Sequence, residues 1–125
     1  MRFLTLIVSI TLVISACKSN TTNSSAGFSN TTVEGAKKMI KNKPDLVIID
    51  VRTPEEIAEG HIDGAIGIDV KADDFKEKVS ILKKDKEYLV YCRSGRRSVI
   101  ASQIMVDQGF KHVTNMEGGY LEWEE

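Results

Sequence analysis

One cysteine, Cys92, opens the run Arg93-Ser94-Gly95-Arg96-Arg97-Ser98. Cysteine reacts as the thiolate, and its pKa falls beside arginine and at the start of a helix. This run supplies both conditions, because an apolar strand-like stretch, Tyr88 to Cys92, ends where it begins and a helix-like stretch, Ser98 to Gln108, follows it. Gly95 frees the backbone to take unusual dihedrals, so that successive N–H groups can converge on one anion. Arginine forks add paired donors for an oxyanion. Such a cradle suits a thiolate, a persulfide, or an oxyanion such as thiosulfate or phosphate. The competing reading makes Arg93, Arg96 and Arg97 an ordinary solvated basic face. Their clustering around a strand-end cysteine favours the cradle.

The elements that must position this loop alternate between apolar strands and amphipathic helices. Phe28 opens a short first strand. Thr31 and Glu34 fit a capping box ahead of a helix with Val33, Ala36 and Ile40 on one face, which Lys41 to Pro44 stops. Leu46 to Ile49 reads as a strand buried on both faces and ending in Asp50. Pro54 to Glu59 is a short helix, Ala65 to Ile68 a short strand, and Asp73 to Leu82 a helix burying Phe75, Val79 and Leu82. The helix after the loop turns Ile100, Ala101, Ile104 and Met105 inward and is capped by Gly109. Lys111 to Thr114 is a last strand, and Gly118 to Trp123 ends in a helical stub. This order predicts an α/β fold: a small parallel sheet flanked by helices on both faces. Ligands of such sheets bind beyond the carboxyl ends of the strands, where Cys92 and Asp50 both fall.

The chain has 125 residues and a formal net charge of −1, a balance that gives no reason to expect nucleic acid as a partner. Its start differs in kind. Met1-Arg2, an apolar run to Ile14, and Ser15-Ala16-Cys17 have the parts of a secretory signal, and the run is shorter than the ~20 residues of a membrane span. Ile14 to Cys17 resembles a bacterial lipobox, in which the cysteine becomes the lipidated first residue of the mature protein. The alternatives are an uncleaved anchor or a cut elsewhere. The expected organisation is a signal peptide over 1–16, a lipidated Cys17 with a flexible polar tether over 17–26, and a domain over 27–125. That domain would lie outside the cytoplasm, in the periplasm or cell envelope, anchored to a membrane through Cys17. Cys17 and Cys92 are the two cysteines of the chain, so lipidation leaves Cys92 a lone thiol in an oxidising compartment. Such a thiol is a liability unless it has a task.

Several stretches together resemble the rhodanese family of sulfurtransferases. Asp50-Val-Arg52-Thr-Pro-Glu-Glu56 with Gly60-His-Ile-Asp-Gly-Ala65 is similar to its first signature, Cys92 to Arg97 to its six-residue active-site loop, and Asn115 to Trp123 to its terminal motif. Ile57 departs from the family's usual Phe or Tyr, a matter of packing. The resemblance implies a rhodanese-like fold and a double displacement: Cys92 takes a sulfane sulfur from a donor such as thiosulfate, and cyanide or a thiol accepts it. It implies loop N–H groups from Arg93 to Arg97 around the terminal sulfur, Arg93 and Arg96 recognising the donor, and Arg97 turned inward against a carboxylate. Ser94, Gly95 and Ser98 complete the loop. Asp50 and Arg52 are expected to form a supporting polar contact, His61 a satisfied structural histidine, and Tyr120 and Trp123 packing anchors. No cofactor and no metal site is expected, and the protein is expected to be a monomer. Two alternatives remain open: a persulfide carrier without turnover, and a cysteine-dependent phosphatase or arsenate reductase. Loops of the latter kind usually place arginine six positions after the cysteine, where this chain has Ser98.

Overall fold

The computed structural model describes residues 27–125, and the expected signal peptide, Cys17 and tether fall outside them. Ten elements follow in order: β1 (Ser29–Thr31), α1 (Val33–Asn42), β2 (Val47–Asp50), α2 (Pro54–Ala58), β3 (Ile66–Gly67), α3 (Phe75–Ser80), β4 (Glu87–Tyr91), α4 (Arg96–Asp107), β5 (His112–Met116) and α5 (Gly119–Trp123). The strands form one sheet in the order β1-β5-β4-β2-β3, and every pairing is parallel. The expected α/β architecture is therefore present, with all strand carboxyl ends at one edge.

Alternation along the strands builds two cores. On β4, Tyr88 and Val90 turn to one face, where they meet Phe75 and Val79 of α3 and Ala101 and Met105 of α4. Leu89 and Tyr91 turn to the other, which α1 covers with Ala36 and Ile40 and α5 with Tyr120 and Trp123. A side chain as completely sealed as Leu89 or Ile49 contributes roughly 1.5–3 kcal/mol by leaving water. The same alternation decides the site, because Cys92 continues the Tyr88–Val90 face while Asp50, opposite Tyr91 in register, belongs to the other.

Five local expectations are corrected. The N-cap of α1 is Thr32, whose Oγ1 accepts from Gly35 N at 3.1 Å; Thr31 is committed to β1, paired with Met116 and accepting from Glu117 N. Helix α4 begins at Arg96, two residues before Ser98, because Gly95 takes φ 102° and turns the chain there. Ile100 is exposed, since the buried stripe of α4 runs through Ser98, Ala101, Ser102 and Met105 and leaves Ile100 off that face. Helix α3 is shorter than Asp73 to Leu82, with no side-chain cap at Asp74. The β5 ladder runs two residues further than its apolar pattern suggests, to Met116. Ile57 is half-buried and lies close over Gly67, where a Cβ would come within 2.9 Å of its Cδ1.

Candidate active site

Strand β4 ends at Tyr91, so Cys92 is the first residue past the sheet, and its side chain is almost sealed at 1% exposure. The chain then folds back over the sulfur. Gly95 N donates to Cys92 Sγ at 3.1 Å, and Ser98 Oγ lies 3.3 Å from the same sulfur. Only glycine reaches the φ of 102° at position 95 without strain. Burial by itself pushes the Cys92 thiol up. The Ser98 hydroxyl and the N–H groups of Ser98, Gly95 and Ser94 oppose it and bring the thiol below its ordinary pKa. Thus hydrogen bonds from its own loop favour the thiolate form of a buried cysteine.

The three arginines divide. Arg97 turns inward and forms a fork-to-fork ion pair with Glu56 of α2, Nη1 to Oε1 at 2.7 Å and Nη2 to Oε2 at 2.8 Å. This is the inward brace expected for Arg97. The pair holds the Glu56 carboxyl down to about 2, chiefly through the Arg97 hydrogen bonds. Thr53, the N-cap of α2, accepts from Glu56 N and so fixes the helix that presents the carboxylate. Arg93 and Arg96 are exposed and make no ion pair among the described residues.

Asp50 and Arg52 form the expected internal contact. Arg52 Nε donates to Asp50 Oδ1 at 3.0 Å and Nη2 to Oδ2 at 2.7 Å, while Arg52 N also donates to Oδ1. Nη2 reaches on to the Gly60 carbonyl at 2.7 Å, tying β2 to the turn after α2. The guanidinium stacks 4.3 Å from the Tyr120 ring centroid. Burial and Asp50 push the neighbouring Tyr91 phenol well above its usual range; its oxygen accepts from Ile62 N at 3.0 Å. Neither Asp50 nor Arg52 hydrogen-bonds Cys92, so this pair shapes the floor and leaves the sulfur to the loop.

Other residues matter that the sequence did not single out. Glu56 is the unnamed carboxylate, 41 residues from Arg97, and no local spacing could have joined them. Helix α5 holds the loop from behind: Tyr120 N donates to the Cys92 carbonyl at 2.8 Å and Leu121 N to the Arg93 carbonyl at 3.1 Å. The approach demands Gly119, where a Cβ would stand 2.3 Å from the Arg93 oxygen. Tyr120 and Trp123 pack against the second core, as anchors should. His61 is exposed rather than built in, its Nδ1 2.9 Å from the Ile62 carbonyl. Among the described residues no group of three His, Cys, Asp or Glu could hold a metal ion.

A family profile described as the Rhodanese-like domain matches residues 32–125. The chain is 47% identical over 88 residues to a Bacillus subtilis protein named "Putative sulfurtransferase YtwF", an alignment spanning 70% of this chain and 82% of that one. It is 39% identical over 83 residues to the thiosulfate sulfurtransferase GlpE of Coxiella burnetii, covering 66% of this chain and 75% of the relative. The crystal structure of a rhodanese-related protein from Thermoplasma volcanium superposes with a TM-score of 0.68 at 30% identity, over 78% of this chain and 91% of the other.

Proposed function

The chain belongs to the rhodanese-like family, with sulfurtransferase relatives, and from that premise we propose that it moves a sulfane sulfur through a persulfide on Cys92. One observation carries this reading: a buried sulfur that receives Gly95 N–H and lies beside the Ser98 hydroxyl, its pKa lowered by its own loop. The Cys92 thiolate attacks the outer sulfur of a donor such as thiosulfate. The new bond joins Sγ to that sulfur, the old sulfur–sulfur bond breaks, and sulfite leaves with the bonding pair. Cyanide or a thiolate then attacks the outer sulfur and returns Cys92 as thiolate. The N–H groups between Arg93 and Arg97 stabilise the terminal persulfide sulfur, as an oxyanion hole stabilises oxygen. Arg93 and Arg96 meet the donor's sulfonate end. Arg97, held by Glu56, keeps the loop in register, and Asp50 with Arg52 supports the sheet end below it.

Thiocyanate production from thiosulfate and cyanide, with Cys92→Ser as control, tests the reaction. Equal inactivity of both proteins, with phosphate esters cleaved by the wild type, would reject sulfur transfer in favour of phosphatase chemistry. Intact mass after incubation with thiosulfate separates a carrier from a catalyst: a carrier gains one sulfur on Cys92 but does not turn over. The lipobox-like Ile14 to Cys17 supports a further proposal, that the mature protein begins at a lipidated Cys17 and works in the cell envelope. Mass spectrometry of the mature N-terminus checks it, and an unlipidated start elsewhere would reject it.

A further inference from the structure

The parallel sheet has two unlike edges. Its carboxyl edge holds Cys92, and the segments that lead into the strands lie together at its amino edge. Lys111 N donates to the Lys84 carbonyl at 3.2 Å, joining the approaches to β5 and β4, and Lys43 pairs with Glu87 across the approaches to β2 and β4. Four exposed lysines stand in these turns, Lys83, Lys84, Lys86 and Lys111, and none has an ion pair among the described residues. The helix dipole draws Lys41 to the last turn of α1 but gives no reason for lysines in the turns. Asp45, Asp85, Glu87 and Asp107 share this edge, and with Lys41 and Lys43 counted the cations lead six to four. The carboxyl edge has the opposite balance. There Glu34, Glu55, Asp69, Asp73 and Glu117 have no ion pair among the described residues and outnumber the unpaired cations Lys71, Arg93 and Arg96.

Two further observations fit the basic edge to a bilayer. The chain enters the described domain at Gly27, which walls a cleft at this edge with Lys111 and His112. Gly27 lies ten residues after Cys17, a stretch that spans at most ~35 Å. The five residues of β4 already put roughly 17 Å between the two edges. Bringing the carboxyl edge onto lipid would therefore use about half of that reach, whereas the amino edge needs none of it. The second observation is Ile81, 83% exposed, the most exposed large apolar side chain among the described residues. It follows α3 directly and stands just ahead of Lys83 and Lys84. An isoleucine so placed can enter the acyl boundary while the ammoniums stay with headgroup phosphates.

We propose that the amino edge of the sheet is a docking face for an anionic phospholipid bilayer, with Ile81 inserted and Lys83, Lys86 and Lys111 against headgroup phosphates. The inference rests on the reading of Cys17 as a membrane anchor. Anchoring holds the domain at high local lipid concentration, so a face of modest affinity is enough to orient it. The same anionic surface repels the acidic carboxyl edge. Cys92 then faces away from the bilayer, toward donors and acceptors that arrive through water.

The test reconstitutes the mature protein into vesicles of phosphatidylcholine, alone or mixed with phosphatidylglycerol, and acetylates its lysines briefly. Rates at each lysine are read by peptide mass relative to Lys71 at the carboxyl edge. Lys83, Lys86 and Lys111 should react about fivefold more slowly on the anionic vesicles, the equivalent of one lysine's attraction to such a surface. Salt at about 1 M cuts the Debye length to about 3 Å and should remove most of the difference. In an Ile81→Ser, Lys83→Gln, Lys86→Gln variant, whose changes are all at exposed positions, the protection of Lys111 should vanish. Equal ratios on both kinds of vesicle, or protection of Lys111 that survives in the variant, overturn the proposal. The mass of the mature N-terminus separates the two readings. If the chain has no lipid, the anchor reading fails and co-sedimentation of that same chain decides the face. Capture by phosphatidylglycerol vesicles but not by phosphatidylcholine supports it, and equal capture or none overturns it.

Discussion

Two ion pairs stand at the same end of the sheet and differ in what surrounds them. Asp50–Arg52 is sealed, with side-chain exposures of 1% and 4%, whereas Glu56–Arg97 is part-exposed at 27% and 20%. The first joins the last residue of β2 to the residue two positions past it and is covered by Tyr91 and Tyr120. The second joins α2 to the loop across 41 residues. A sealed pair must be kept whole, because removing one partner strands a charge in a poor solvent. A part-exposed pair can open at modest cost. The comparison separates framework from adjustable brace: the floor of the site is rigid by necessity, and the loop above it is held by a latch.

Breaking the sealed pair should have the largest effect. Arg52→Ala leaves the Asp50 carboxylate buried without its partner and should destabilise the fold by about 3–5 kcal/mol in denaturant unfolding. A loss under about 1 kcal/mol would remove the distinction between the two pairs. Glu56→Gln should cost less, about 1–2 kcal/mol, since water can replace part of what Arg97 loses. It should also change the acid response. The Glu56 pKa is depressed from 4.5 to about 2, so the wild-type pair is fully stabilising above pH 4.5 and its contribution is lost as pH falls through about 2. Unfolding free energies measured across that window should therefore fall less steeply in the variant than in the wild type.

A third change leaves both pairs intact and probes the sulfur between them. Ser98→Ala removes the hydroxyl 3.3 Å from Sγ, and the Cys92 pKa should rise. Alkylation by iodoacetamide at neutral pH should slow by roughly 2–10-fold, the loss of one hydrogen bond to the anion. An unchanged rate would mean that the backbone N–H groups alone hold the thiolate. The smallest effect belongs to Lys43→Ala at the opposite end of the sheet. Its partner Glu87 and Lys43 itself are both nearly half exposed, so thermal unfolding should register under about 1 kcal/mol.

The sequence carried this contrast only halfway. Cys92, Gly95 and Ser98 are readable as a cradle because they fall within one short run and each has a distinct physical role. Asp50 and Arg52 are readable as partners because opposite charges two residues apart at a strand end lie within each other's reach. The strands and helices follow their apolar periods. What failed to show was set by chain geometry between elements. Glu56 met Arg97 only once α2 and α4 were placed, and the start of α4 depended on how far Gly95 turned. Ile100 looked like a core residue by type, but the phase of the helix put it in water. Thr31 read as the cap of α1, but the pairing of β1 with β5 claims it and Thr32 takes that place.

The attachment of α5 to the loop has an optical consequence. The chain contains one tryptophan, Trp123, and it rides on the helix whose first N–H groups hold the carbonyls of Cys92 and Arg93. Its indole packs on the second core with the Lys37 ammonium 5.2 Å from the ring centroid, a placement sensitive to small shifts of the helix. Any displacement of the loop is passed through two hydrogen bonds to this single fluorophore. On the proposed sulfur transfer, Trp123 would therefore report loading and unloading of Cys92 by its emission, readable in stopped flow without a label.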